Sequence, residues 1–93
     1  MDVIRWSEEK DHWLRSQRGI SFQEISAQIL GDDFLDVLES PSRENQQVFI
    51  VRCRDYTWVV PFVLEHDNTI FLKTAYPSRK MHRRYGGPHG EEN

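Results

Sequence analysis

The sequence predicts an α+β domain: two N-terminal helices packed on a curled antiparallel sheet of three to five strands, followed by a short C-terminal helix. Apolar residues recur at helical spacing up to Gly31, and from Phe34 onward short apolar segments alternate with turn residues, as in a meander. A chain of 93 residues is long enough for one hydrophobic core and too short for two. We therefore expect a single domain, residues 1–85, and a flexible tail, residues 86–93.

A short strand from Val3 to Trp6 is expected to open the chain and to lead into the first helix. Ser7 is suited to cap that helix, because its hydroxyl can accept a hydrogen bond from a backbone N–H of the first turn. The helix is expected to end at Gly19. Its apolar content is thin, so a narrow face made mainly by Trp13 and Leu14 should pack on the sheet.

A capping box predicts the start of the second helix. Ser21 and Glu24 have the spacing at which each side chain bonds the backbone N–H of the other. Gly31 is suited to end the helix in a left-handed conformation. Apolar residues at helical spacing form the expected core face of this helix: Phe22, Ile25, Ile29 and Leu30.

The second half of the chain is predicted to form strands and a terminal helix. The expected strands lie within 34–38, 48–53 and 57–64, with a further one from Ile70. Pro61 lacks the N–H that a sheet hydrogen bond requires, so a bulge or a sheet edge is expected there. A short helix is predicted from Lys80 to Tyr85. Because two helices cover one face of the sheet, the other face is expected to be free to bind.

Composition indicates a soluble cytoplasmic protein. The one cysteine, Cys53, excludes an internal disulfide, and its apolar surroundings favour a buried side chain over a reactive thiol. No leader-like segment opens the sequence. The longest mainly apolar run, from Trp58 to Leu64, is far shorter than the roughly 20 residues that span a bilayer. No membrane partner is expected.

Positive charge is concentrated near the end of the chain. Five basic residues and no acidic one lie between Lys73 and Tyr85, whereas residues 1–72 hold seven basic and thirteen acidic residues, in a chain of net charge −3. This separation places a local positive potential on an acidic body and predicts a phosphate-bearing partner. The acidic body argues against tight binding to duplex DNA, which requires a larger basic face.

Several segments resemble a known toxin family. Trp6, Glu9-Lys10 and Leu14 are followed by Arg18-Gly19-Ile20-Ser21-Phe22-Gln23-Glu24, and later by Pro77-Ser78-Arg79-Lys80 with Tyr85. In this order and spacing, over roughly residues 3–85, the layout resembles the BrnT-like family of type II toxins, small relatives of the RelE-type ribonucleases.

The resemblance implies a RelE-like fold and a metal-independent endoribonuclease without cofactors, which arrests translation by cutting messenger RNA, at random or at the ribosome. It also implies a cognate antitoxin, typically a ribbon-helix-helix DNA-binding protein, through which alone the toxin would be brought to DNA. The family commonly carries a Glu within an Arg-rich terminal helix, whereas Met81-His82-Arg83-Arg84 stands here. The role of that Glu is vacant or has passed to His82.

RNA cleavage without a metal requires proton transfer to and from the reacting oxygens and stabilisation of charge on phosphorus. Arg79 is the first candidate for the phosphate, because its guanidinium matches phosphate oxygens in a planar fork. Lys10 could add a second cation. His82 could move a proton, since an unperturbed histidine titrates at about pH 6.5. Tyr85 could stack on a base or hold the nucleophile.

Four further residues are candidates for RNA binding: Lys80, Arg83, Arg84 and His12. Each candidate has a plainer interpretation: the arginines can be solvated or can contact an acidic antitoxin segment, and His12 and His82 can be ordinary surface histidines. The alternative function is a non-catalytic binding module of the same fold, whose basic end holds a protein or nucleic acid. No glycine-rich phosphate loop and no zinc-type spacing occurs, so no metal site is predicted.

Overall fold

The computed structural model describes residues 3–40 and 46–85, so the predicted flexible tail lies outside the described residues. Within these ranges the chain forms three helices and six strands. In chain order they are β1 (Ile4–Trp6), α1 (Glu8–Gln17), α2 (Phe22–Leu30), β2 (Asp36–Glu39), β3 (Gln47–Cys53), β4 (Tyr56–Leu64), β5 (Ile70–Leu72), β6 (Tyr76–Pro77) and α3 (Arg79–Tyr85). Among the described residues, no helix has both the length and the apolar character needed to span a membrane.

The sheet is mixed, whereas a purely antiparallel sheet was predicted. Its strands lie in the order β1-β5-β4-β3-β2, and the two-residue β6 also pairs with β4. Strands β2 to β5 form the expected antiparallel meander, whereas β1 pairs with β5 in parallel, with Ile4 opposite Ile70. The parallel pair arises because the two helices connect β1 to the rest of the sheet, and such a pair requires a long crossover.

Pro61 lies inside the central strand β4, neither at a sheet edge nor in a bulge. It pairs in register with Val48 of β3. Its carbonyl accepts a hydrogen bond from the N–H of Lys73, in the chain that links β5 to β6. The position without an N–H therefore lies between the part of β4 that pairs with β5 and the part that pairs with β6. No regular sheet hydrogen bond is lost there.

The two helices are joined by capping side chains. The hydroxyl of Ser7 accepts from the N–H of Lys10, and Ser21 with Glu24 forms the predicted capping box at the start of α2. Asp11 adds a bond that the sequence did not reveal: its Oδ1 accepts from the N–H of Phe22, the first residue of α2, at 2.8 Å. A buried carboxylate of α1 therefore caps α2.

The ends of the helices differ in one respect from the prediction. Gly19 follows α1 with a φ of +74°, a left-handed conformation that glycine adopts readily. Gly31 follows α2 with a φ of −88°, and the left-handed residue is Asp32, with a φ of +59°. Gly31 ends the helix as predicted, but its predicted left-handed conformation is wrong, because the chain reverses one residue later at an aspartate, which tolerates this conformation better than most residues.

The main core lies between the helices and one face of the sheet. Leu14 from α1 and Phe22, Ile25 and Ile29 from α2 are buried against β3 and β4, together with Cys53. Two expected core positions are wrong: Trp13 is 40% exposed and Leu30 is 61% exposed. A helix of ten residues packed on a sheet buries only one narrow stripe, and on α1 Leu14 is the one apolar residue that is buried.

The opposite face of the sheet was expected to be free, but it is covered. Val48, Ile50 and Val59 form a second buried cluster, and Met81 and Tyr85 of α3 pack against it. The terminal helix therefore folds back across this face. This arrangement decides where the basic side chains of α3 lie, because its apolar residues point to the sheet.

Candidate functional site

An open cleft of about 620 Å³ lies between the end of α1, the turn after β3 and the start of α3. Its lining combines three arginines with two aromatic rings. We call it the Arg79 cleft; its lining residues are Arg18, Gly19, Arg54, Tyr56, Trp58, Pro77 and Arg79. Three guanidinium groups in one concave surface create a site for an anion that can accept several hydrogen bonds.

Ser78 determines where α3 begins and therefore where Arg79 is placed. Its N–H donates to the carbonyl of Thr57 at 3.0 Å, which ties the segment to β4. Its hydroxyl accepts from the N–H of Met81 at 3.2 Å, and its carbonyl accepts from the N–H of His82 at 2.9 Å. The Ser-Arg sequence thus forms a helix start immediately beside β6, with Arg79 at the mouth of the cleft.

The three arginines differ in how their side chains are held. Arg18 donates to the carbonyl of Ala75, and Arg54 donates to the carbonyl of Gly19 and to a carboxylate oxygen of Glu24. Arg79 is exposed, and its side chain has no hydrogen bond or ion pair within residues 3–40 and 46–85. It is therefore the guanidinium with all its donors available to an incoming phosphate.

His82 borders the cleft and is held on two sides. Its ring stacks on Tyr56, with centroids 4.2 Å apart and planes 17° from parallel. Its Nδ1 lies 3.0 Å from Oγ1 of the fully buried Thr57. The hydroxyl of Thr57 can accept from Nδ1–H or donate to a bare Nδ1, so the contact is compatible with either state of the imidazole.

Among the other predicted site residues, Lys10 lines a separate depression. This depression also contains Trp13, Phe71 and Lys73, and it occupies about 510 Å³. Lys10, the expected second cation, is therefore not part of the lining of the Arg79 cleft. His12 is exposed on α1.

The structure does not bring Tyr85 into the cleft. Its ring packs on the second cluster, and its hydroxyl donates to Oδ2 of Asp36 at 2.7 Å. Lys80 lines a groove on that same side of the sheet. Arg83 and Arg84 are exposed on α3, and the guanidinium of Arg84 lies 5.3 Å from the ring centroid of Tyr85. These residues form a basic surface next to the cleft and not its lining.

Sequence reasoning did not identify Arg18, Arg54 and Tyr56, which line the cleft, or Thr57, the buried residue that contacts His82. A usable signal existed for Arg54, because Arg54-Asp55 is a two-residue turn between apolar segments, and both residues have positive φ angles of 53° and 60°. Such a turn projects its side chains from the end of the sheet. Nothing in the spacing indicated that Arg18, 36 residues earlier, meets this turn.

The described residues contain no group of three histidine, cysteine, aspartate or glutamate side chains placed to hold a metal ion. The thiol of Cys53 is buried, and burial raises its pKa. His89, in the tail, lies outside the described residues.

Comparison with known proteins places the fold. Neither a scan against protein-family models nor a search of curated proteins found a match. Among solved structures, the chain is similar to the crystal structure of the Brucella abortus ribonuclease toxin BrnT, with a TM-score of 0.59 and 18% sequence identity, over 84% of this chain and 96% of that one. The fold implied by the toxin resemblance is confirmed: this chain has an α+β fold like that of the BrnT ribonuclease toxin.

Proposed function

We propose that the chain is an endoribonuclease, the toxin of a type II toxin–antitoxin pair, and that it cleaves messenger RNA in the cytoplasm without a metal ion. One observation carries the proposal: His82 is held by Thr57 and Tyr56 at the border of a cleft that contains three arginines. The BrnT-like fold supports it, since the similar structure is that of a ribonuclease toxin.

The cleft supplies what phosphoryl chemistry on RNA requires from a protein. In this reaction the 2′-oxygen bonds to phosphorus and the bond from phosphorus to the 5′-oxygen breaks, which leaves a 2′,3′-cyclic phosphate and a 5′-hydroxyl. Negative charge builds up on the non-bridging oxygens as this happens. Arg79, whose donors are free, binds these oxygens, and the neighbouring Arg18 adds positive potential from the other wall.

His82 is the proposed proton-transfer residue. One proton must leave the 2′-hydroxyl and one must reach the 5′-oxygen, and an imidazole exchanges protons near neutral pH. Nδ1 is engaged by Thr57, and Nε2 has no hydrogen-bond partner within the described part of the chain. Thr57 and Tyr56 act as positioning residues: the hydroxyl holds Nδ1 and the stacked ring fixes the plane of the imidazole.

Glu24 is poorly suited to the role of general base. Its Oε2 accepts from the N–H and hydroxyl of Ser21 and from the guanidinium of Arg54. These contacts complete the capping box and occupy this oxygen with three hydrogen-bond donors. His82 is therefore the residue on which acid–base chemistry at the cleft depends, in place of the Glu found in the resembling family.

The proposed partners are RNA, free or at the ribosome, and a cognate antitoxin of ribbon-helix-helix type. The exposed cations of α3, namely Lys80, Arg83 and Arg84, lie next to the cleft and suit either an RNA backbone or an acidic antitoxin segment. An antitoxin bound to this surface would block access to Arg79.

Induced expression in a host that lacks the neighbouring gene tests the proposal, with growth and RNA integrity followed together. The wild-type chain is expected to arrest growth and fragment RNA, and Arg79→Ala and His82→Ala are expected to do neither at equal soluble expression. Purified wild-type protein should cleave RNA in the presence of EDTA. Normal growth with intact RNA at good wild-type expression would exclude the nuclease and favour the non-catalytic binding module.

A further inference from the structure

Trp13 lies on the solvent side of α1, and two cations rest on its indole ring. The Nζ of Lys10 and the Cζ of Arg18 each lie 4.8 Å from the ring centroid. The side chain is 40% exposed although tryptophan is among the most costly side chains to leave in water. An exposed indole among cations is the combination with which proteins bind unpaired bases, by stacking on the base and neutralising its phosphate.

Arg18 connects this indole to the Arg79 cleft. It lines the cleft, and its guanidinium contacts the ring of Trp13. Trp13 in turn lines the second depression with Lys10, Phe71 and Lys73, whose ammonium lies 5.7 Å from the Phe71 ring. Ser7 and Glu9 complete that depression. A strand bound with one phosphate at Arg79 therefore finds an aromatic platform and further cations directly beyond Arg18.

The cations on the indole do not prevent a base from binding there. An exposed cation–π contact contributes about a two- to fivefold factor to an equilibrium. Stacking of a base on an aromatic side chain contributes about five- to 150-fold in affinity. A base can therefore displace Lys10 from the ring, and the displaced ammonium remains beside the phosphate of the same nucleotide.

We propose that Trp13, with Lys10, Arg18 and Lys73, forms a subsite for one unpaired base and its phosphate, adjacent to the phosphate held at Arg79. The inference rests on the proposed nuclease function and specifies its substrate: single-stranded RNA, since a base within a duplex cannot stack on a side chain. It also gives Lys10 a role in holding the strand, separate from the chemistry at Arg79 and His82.

Binding of a short fluorescent single-stranded 2′-O-methyl RNA tests the subsite without cleavage, because the attacking hydroxyl is blocked. Affinity would be measured by anisotropy for the wild type, Trp13→Ala, Trp13→Phe and Leu30→Ala, the last removing an exposed apolar side chain from α2 as a matched control. Trp13→Ala is expected to weaken binding roughly tenfold, Trp13→Phe less, and Leu30→Ala not at all. A blunt-ended duplex of the same composition should bind weakly and equally to all four proteins, each first checked for cooperative thermal unfolding.

Cleavage of unmodified RNA of the same sequence separates this inference from the proposed function. Cleavage by the wild type together with wild-type affinity in Trp13→Ala would overturn the subsite and leave the nuclease standing. Binding that depends on Trp13 without any cleavage would overturn the nuclease and retain the subsite. RNA affinity unchanged in Trp13→Ala, with loss of binding to the antitoxin, would assign the indole to a protein interface and overturn the inference.

Discussion

At the scale of single residues, the bond between Tyr85 and Asp36 sets the ionisation of both groups. The hydroxyl of Tyr85 lowers the pKa of the Asp36 carboxyl below its ordinary value, and the N–H of Val37 and the charge of Arg84 act in the same direction. In return, the bond to Asp36 raises the pKa of the Tyr85 hydroxyl. The bond joins α3 to β2, so the ionisation of these two groups is linked to the docking of the terminal helix.

This linkage predicts a pH-dependent effect of Tyr85→Phe. Because the pKa of Asp36 is lowered in the folded state, its contribution to stability is present above about pH 4 and is lost as the pH falls through the folded pKa. Because the pKa of Tyr85 is raised, its contribution is present below about pH 10 and is lost as the pH rises further. Tyr85→Phe should therefore lower the Tm most between those limits.

Thermal unfolding of both proteins across this pH range measures the effect. The Tm difference should shrink toward pH 3 and again above pH 10. The phenyl ring of the variant preserves the packing on the second cluster, so a constant difference at every pH would show that packing, and not the hydrogen bond, is responsible.

At the scale of elements, the helix pair depends on a side chain that belongs to neither the core nor the cleft. Asp11 is 8% exposed and accepts from the first N–H of α2 and from Nε of Arg15. It thereby fixes the angle between the two helices, and with it the position of Arg18 beside the turn at Arg54. The capping box, in contrast, satisfies backbone N–H groups at the start of α2 alone.

We expect Asp11→Ala to destabilise the protein by about 1–3 kcal/mol, because it leaves the buried N–H of Phe22 without an acceptor. Asp11→Asn keeps an acceptor oxygen and should recover most of the loss. Denaturant unfolding measures both. Arg15→Ala is the control: its ion pair with Asp11 is largely exposed on the arginine side, so it should cost less than about 1 kcal/mol. An equal loss in Asp11→Ala and Arg15→Ala would contradict the capping role.

At the scale of the whole molecule, the separation of charge makes RNA binding depend on the salt concentration and on which surface of the protein the RNA contacts. The chain has a net charge of −3, yet three arginines meet in one cleft and the cations of α3 lie beside it. An acidic body repels a polyanion everywhere except at this end. Affinity should therefore come from a small number of phosphate contacts.

The dependence of the affinity on salt concentration measures the number of these phosphate contacts. For a single strand, the slope of log affinity against log salt is about −0.7 per phosphate neutralised. Arg79→Ala should make the slope less negative by about 0.7, whereas Arg5→Ala, an exposed arginine on β1, should leave it unchanged. Titration of the non-cleavable RNA at several salt concentrations gives both slopes. Equal slopes for the wild type and Arg79→Ala would remove Arg79 from the phosphate site.

Local features of the fold could be read from the sequence alone. Ser7, Ser21 and Glu24 determined the helix starts, because a cap involves residues only three apart. The meander from β2 to β5 followed from alternation and turn residues, and the terminal helix was predicted from Lys80, one residue after its observed start at Arg79. The toxin resemblance named the fold correctly, since its segments extend over nearly the whole domain.

Tertiary structure decided everything that depends on long-range contacts. It placed β1 in parallel with β5, turned Trp13 outward, folded α3 over the second face of the sheet and brought Arg18 to Arg54 and Arg79. The physical reason is that spacing along a chain fixes which residues share a face of one element, whereas the meeting of different elements is set by how their apolar faces pack together. The concentration of positive charge near the end of the chain could be seen in the sequence, whereas the cleft beside it could not.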